Sequence, residues 1–192
     1  MYKIGLTGGI GSGKTYIAEI FSRLDIPVFN SDIEGKKCMQ KNDSVRKQII
    51  NLFGKGIYNN DKLDTAKIGT IVFNNHEILK SLNAIIHPVV IEKFNMWASD
   101  QNSDIVIKES AILFESGTNK ELDKIICVSA PEGTRIQRII ERDGLTKKEI
   151  LSRINNQISQ EEKEKLSDFI IQNDGKELIL PQILNILELV NN

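Results

Sequence analysis

Residues 8–15 read Gly8-Gly9-Ile10-Gly11-Ser12-Gly13-Lys14-Thr15, the pattern G-x-x-x-x-G-K-[ST], and the apolar run Tyr2-Lys3-Ile4-Gly5-Leu6 leads directly into it. A strand before the motif and a helix after it is the context in which such a loop binds phosphate. Glycines let successive backbone N–H groups turn inward around the phosphate oxygens. Lys14 sets a point charge on the β/γ oxygens, and the Thr15 hydroxyl can ligate Mg²⁺. With Gly at about 7% of average usage, the fixed positions coincide by accident in roughly one chain per hundred of this length. A plain glycine-rich turn has no need of Gly13-Lys14-Thr15 as well.

At 192 residues the chain is long enough for one domain with a substantial core and an insertion or lid. Its 25 Lys and Arg nearly balance 26 Asp and Glu, for a net charge of −1. No overall field therefore draws it to nucleic acid or to an acidic membrane. No run approaches eighteen apolar residues, and the N-terminus enters a strand without the pattern of an export signal, so a cytoplasmic protein is expected. Cys38 and Cys127 are far apart with no C-x-x-C pairing, which fits reduced thiols and excludes a zinc site.

Apolar β-rich runs at Lys3 to Thr7, Pro27 to Asn30, Ile105 to Lys108, Ile125 to Ser129 and Phe169 to Gln172 alternate with helical patterns. That alternation predicts an α/β fold, with a five-stranded parallel sheet flanked by helices in three layers. A first helix is expected from Gly13 to about Leu24. No strand is evident between Asp32 and Asp100, so residues 32–100 read as a helical insertion for substrate. From Pro131 to Gln160 two charged helices are expected, broken at Asp143-Gly144-Leu145-Thr146, with Thr146 and Glu149 forming a capping box. Such a polar pair suggests a lid over residues 131–166. A last amphipathic helix is expected from Gly175 to Val190. The core is then 1–31, 101–130 and 167–192 of a single 192-residue domain.

Asp32 follows the second predicted strand, where a carboxylate can take the proton of an attacking hydroxyl or simply cap the next helix. Glu109 and Glu115 are candidates for a metal-side carboxylate, or else solvated acids at a strand exit. Arg135, Arg138 and Arg142 recur at helical spacing opposite Ile136, Ile139 and Ile140. Such a face is either solvated or poised over a migrating phosphoryl group. His76 and His87 form no triad pattern; His87-Pro88 predicts a kink in the pattern from Leu79 to Ala98, with His87 a packing or capping residue or a ligand. Phe94 and Trp97 read as core.

Together these residues resemble the dephospho-CoA kinase family over nearly the whole chain. The likeness is carried by Leu6-Thr7-Gly8-Gly9-Ile10, Pro27-Val28 to Ser31-Asp32, Phe53-Gly54, Leu63-Asp64, Val72-Phe73, Ile86-His87-Pro88, Leu113-Phe114-Glu115, Arg138 to Arg142-Asp143, Arg153 with Gln157, and Ser167-Asp168 to Asn173-Asp174-Gly175. The resemblance implies a P-loop kinase fold and transfer of phosphate from ATP, with Mg²⁺, to the ribose 3′-hydroxyl of dephospho-CoA. It implies Asp32 as general base, with Lys14 and Arg142 as catalytic cations. ATP would lie on Gly8, Gly9, Gly11, Ser12, Gly13, Lys14, Thr15 and Tyr16, the acceptor on Thr7, Asp32 and His87, and the ion on Thr15 and Glu109. Three positions depart from the family pattern: Asn30 stands where Asp is usual, Thr65 where Arg is usual, and Ala111 where Pro is usual. Tyr16 replaces the usual hydroxyl residue but serves through its backbone. A small-molecule substrate is implied, with no membrane, nucleic acid or obligate protein partner. The alternatives are a nucleoside or nucleotide monophosphate kinase and a GTP-binding switch; the latter lacks N-K-x-D, since Asn119-Lys120 continues Glu121-Leu122, and its only D-x-x-G sign is Asp32-Ile33-Glu34-Gly35.

Overall fold

The computed structural model describes residues 1–73 and 75–191. In chain order the elements are β1 (Tyr2–Thr7), α1 (Lys14–Arg23), β2 (Val28–Asn30), α2 (Ser31–Lys41), α3 (Asp43–Phe53), β3 (Tyr58–Asn59), β4 (Lys62–Leu63), α4 (Thr65–Phe73) and α5 (His76–Ser99). They continue as β5 (Ile105–Glu109), β6 (Lys124–Ser129), α6 (Glu132–Asp143), α7 (Lys147–Asn155), α8 (Gln160–Lys165), β7 (Phe169–Gln172) and α9 (Ile179–Asn191). The chain divides into two compact units, Met1–Asn30 with Gln101–Asn192, and Ser31–Asp100.

The larger unit is built on a parallel sheet of order β2-β5-β1-β6-β7. Strands buried on both faces lose the polar alternation of a half-exposed sheet, and every residue of β5 is buried. Ile4, Leu6, Ile105, Ile107, Ile126, Val128 and Ile171 point to one face, where they pack with Ile17 and Phe21 of α1 and Ile183 and Ile186 of α9. The chain leaves β1 for the β2 edge and later returns to its other side as β6. The carboxyl end of β1 is therefore the point where the winding reverses, and open α/β sheets place ligands there.

The smaller unit wraps α2, α3 and α4 around the long helix α5. Cys38, Val45, Ile49, Ile68, Leu82, Ile86, Val90 and Phe94 are all buried. Phe94 stacks on Trp97 with ring centroids 6.2 Å apart, as expected of core aromatics. Helix α5 continues on both sides of Pro88, so His87 lies mid-helix, not at a cap. The His76 side chain lies outside the described residues.

Three segments differ from the sequence expectation. A two-residue hairpin, β3 with β4, occupies the stretch read as strandless. Its strands are too short to show periodicity, and its turn rests on Asn60 and Asp61, both at positive φ (47° and 61°) as a tight hairpin requires. The two helices expected over 131–160 form as α6 and α7, and a third, unexpected helix α8 follows them because Ser159 caps it by accepting the Glu162 N–H at 3.1 Å. The last helix begins at Ile179, not Gly175, because Asp174 Oδ1 accepts the N–H groups of Lys176 and Glu177 and holds a turn there.

Among the described residues no helix is long and apolar enough to cross a membrane. Both cysteines are free and buried. Burial pushes the Cys127 thiol up to about 11 and raises that of Cys38. A thiol raised in the folded state holds its proton where the unfolded chain has already lost it. Cys127 therefore contributes stability that declines as pH rises from the unfolded thiol value, about 8.5, through about 11. A disulfide reagent at pH 8 is expected to leave both thiols unmodified in the native protein and to titrate both in denaturant. Rapid labelling of the native protein would contradict this burial.

Candidate active site

Helix α1 starts immediately after Gly13, a left-handed residue (φ 93°) at which Ile17 N–H finds its first acceptor. Its first-turn amides have no intrahelical partner and face the loop. Lys14 is buried and its ammonium donates to Gly8 O at 2.8 Å and Gly9 O at 3.4 Å, so the charge is already inside the loop. Thr7 and Ser12 are wholly buried, yet neither hydroxyl has a hydrogen-bond partner among the described residues. Buried hydroxyls are rarely left so, and these two lie at the strand end and within the loop that a phosphate ligand would occupy.

Next to the loop, Glu109 at the end of β5 is 4% exposed. It accepts from Thr15 Oγ1 at 3.2 Å and from Asn30 Nδ2 at 2.6 Å. Asn30 thus orients the carboxylate, a bond that an acidic residue at 30 could not donate. Thr15 and Glu109 present the oxygen donors a small divalent cation takes. Among the described residues no group of three or more His, Cys, Asp or Glu could hold a metal alone, so phosphate oxygens and water would complete any coordination here.

The rest of the frame comes from the helices after β6. Gln160 Oε1 accepts the Gly9 N–H at 2.9 Å and Gln157 Oε1 the Ile10 N–H at 3.0 Å. Asn173 Nδ2 donates to Ser12 O at 2.8 Å, and Arg138 reaches Ser12 O and Asn173 O at 3.4 and 3.0 Å. Helix α6 lies so close that a Cβ on Gly11 (φ 80°) would meet Arg135 O at 2.6 Å and Ile139 Cδ1 at 3.0 Å.

With this geometry the comparisons are unambiguous. A model of the dephospho-CoA kinase family matches residues 2–178. The chain belongs to the dephospho-CoA kinase family. A dephospho-CoA kinase of Bacteroides fragilis is 39% identical over 186 residues, covering 96% of this chain and 91% of that one. One of Porphyromonas gingivalis is 37% identical, covering 99% and 95%. Among solved structures, dephospho-CoA kinase from Campylobacter jejuni superposes with a TM-score of 0.66 at 28% identity over 98% of this chain and 95% of that one. Protein TT1252 from Thermus thermophilus gives 0.89 at 29%, over 100% and 98%. Shikimate kinase from Acinetobacter baumannii, at 14% identity, TM-score 0.57 and coverage of 99% and 93%, shares the fold.

The structure brings Gly8, Gly9, Gly11, Ser12, Gly13, Lys14, Thr15, Glu109 and Thr7 together at the end of β1, with Tyr16 exposed on α1. Asp32 is the second residue of α2, exposed and without a side-chain hydrogen bond among the described residues, so it does not cap the helix. His87 is half-buried in α5. Glu115 serves the frame: its Oε1 accepts from the buried Lys163 at 2.8 Å and from Ile158 N–H at 3.1 Å. The three arginines do not share a solvated face. Arg135 is 5% exposed, Arg138 is half-buried, and Arg142 is exposed and pairs with Asp143 through two 2.8 Å bonds. Ile140, expected inside, is 39% exposed, because α6 turns its inner face to the polar backbone of the loop.

Sequence reasoning missed Gln160 altogether. The signal was present in Ser159-Gln160-Glu161-Glu162, an S-x-x-E capping pattern that opens a helix. Replacing Gly11 with Ala adds a Cβ in left-handed backbone against α6. The melting temperature is expected to fall by roughly 5 °C or more and ATP binding to be lost. Wild-type melting and affinity in that variant would show that α6 does not confine the loop.

Proposed function

We propose that the protein transfers the γ-phosphoryl group of ATP to the ribose 3′-hydroxyl of dephospho-CoA, giving coenzyme A and ADP. The observation that supports this most is the shaped phosphate loop, with Lys14 inside it and Glu109 held beside Thr15, in a chain that matches one kinase family over residues 2–178. The loop amides and Lys14 hold the β and γ phosphates. Thr15 and Glu109 would hold Mg²⁺, which would supply charge neutralisation at the phosphate oxygens. Asp32 takes the proton of the acceptor hydroxyl; it is exposed and has no side-chain hydrogen bond among the described residues, which leaves its oxygens available. Thr7 and His87 contact the acceptor.

Arg142 stabilises the migrating charge. Its present partner is an exposed ion pair with Asp143, side chain 64% exposed, and exposed pairs are weak enough for phosphate oxygens to displace. Gly144 (φ 65°) ends α6 just beyond it, so the turn into α7 is a natural hinge for a lid within residues 131–166. The enzyme acts in the cytoplasm on small molecules, a reading supported by its balanced charge and two buried free thiols.

Incubation with ATP, Mg²⁺ and dephospho-CoA is expected to yield coenzyme A, with AMP and nucleosides far poorer acceptors; preferential phosphorylation of AMP would overturn the acceptor assignment. Asp32→Asn should lower kcat by about a hundredfold or more with the melting temperature and ATP affinity little changed. Retained turnover in that variant would remove Asp32 from catalysis.

A further inference from the structure

Arg135 breaks the rule that buried charges are paired. Its side chain lies on the inner face of α6 and the residue is 5% exposed, yet Nε has no partner and no carboxylate comes within ion-pair distance of the guanidinium among the described residues. Four acids line the cavity beside it, Glu132, Glu161, Glu164 and Asp174. Two of them are committed elsewhere. Glu164 Oε1 accepts from Ser129 Oγ at 2.5 Å and from Gln160 Nε2 at 3.0 Å, and Asp174 holds the N–H groups of Lys176 and Glu177. Glu132 and Glu161 are exposed.

The position of the guanidinium is specific. A Cβ built on Gly9 would collide with Arg135 Nη1, and the same Cβ would meet Gln160 Oε1 at 2.9 Å. Arg135 therefore lies against the peptide whose N–H is held by Gln160 and whose carbonyl lies 3.4 Å from Lys14 Nζ. Two cations, from α1 and from α6, bracket one residue of the phosphate loop. Among the described residues the guanidinium Nε has no hydrogen-bond partner, and its charge neighbour is the exposed Glu161, whose carboxyl is held below the usual range by its own backbone N–H, by Ser159 and then by Arg135. Such an arginine is complementary to an anion that arrives with the substrate, and a planar guanidinium suits two phosphate oxygens at once.

We propose that Arg135 is a catalytic residue of the phosphate site, donating to the terminal phosphate of the bound nucleotide, in addition to Lys14 and Arg142. The inference rests on the kinase reading above. It also predicts that charge at this position costs the free protein stability and is compensated only when phosphate is bound.

The test compares Arg135→Met, which keeps the stem and removes the charge, with Arg135→Lys, in three measurements: melting of the free protein, calorimetric binding of ATP and of inorganic tripolyphosphate, and steady-state kinetics. Free Arg135→Met is expected to melt at or above wild type. It should bind tripolyphosphate roughly tenfold to a hundredfold more weakly and lose kcat by a similar factor. Arg135→Lys should recover part of the binding but little of the kcat, since a point charge cannot reproduce the fork. Tripolyphosphate binding within twofold of wild type in Arg135→Met overturns the proposal. So does a lowered melting temperature with normal binding by the folded protein, which would make Arg135 a brace for Gly9. Should Arg135→Met fail to fold, full kcat in Arg135→Lys overturns it equally. The tripolyphosphate arm needs no acceptor, so it stands apart from the acceptor assignment, which fails only if wild type does not phosphorylate dephospho-CoA.

Discussion

The first amides of the phosphate loop are held from outside by two glutamine side chains, Gln160 on Gly9 and Gln157 on Ile10. A loop rich in glycine carries a large entropy cost on ordering, and a nest whose amides must converge on phosphate functions only if that cost is met in the folded protein. The glutamines bind the entry to the loop, Asn173 and Arg138 bind Ser12 O near its exit, and α6 closes over Gly11. Within the loop Ser12 N–H donates back to Gly9 O at 3.1 Å, and the Thr7 and Ser12 hydroxyls stay buried without a partner among the described residues.

That clasp depends in turn on where α8 is fixed. Lys163, wholly buried on α8, donates to Ala111 O at 2.7 Å and pairs with Glu115 at 2.8 Å, while Glu115 also accepts the Ile158 N–H. Gln160 Nε2 meanwhile donates to Val128 O and Glu164. Glu115 reaches in from the surface to compensate the wholly buried Lys163 charge, which its removal would leave unpaired. The segment after β5, the strand end of β6 and the start of the phosphate loop are therefore one hydrogen-bonded body. Arg142 and Asp143, at the exposed end of α6, stand outside it. A frame fixed before the substrate arrives, with one exposed arginine beyond it, suits phosphoryl transfer, where catalysis is mostly positioning and charge stabilisation.

The sheet and the phosphate loop were legible because their determinants are local: runs of Ile and Val between turns, and glycines at fixed spacing before Lys14-Thr15. The β3/β4 hairpin was not, since four strand residues carry no periodicity and the turn uses Asn60-Asp61 in place of a glycine pair. The burial of Arg135 was not legible for a different reason. Helical spacing groups Arg135, Arg138 and Arg142 on one side, and an apolar core would put Ile136 and Ile140 inside, but α6 packs on polar backbone and so inverts the rule at Arg135. Glu115 had the position of a metal ligand, and only the long-range partner Lys163, 48 residues on, shows its structural use. Gln157 entered through its family pattern, while Gln160 lay in a capping signal that was not followed.

Amide hydrogen exchange in the free protein, read at Gly9 and Ile10, tests most directly whether the loop is formed before nucleotide binds. Both amides are expected to be protected in the absence of ATP to a degree similar to the core of β1, and Gln160→Ala should release Gly9 while leaving β1 unchanged. Near-unprotected exchange at both positions, with protection gained only on adding ATP, would contradict a preformed phosphate site.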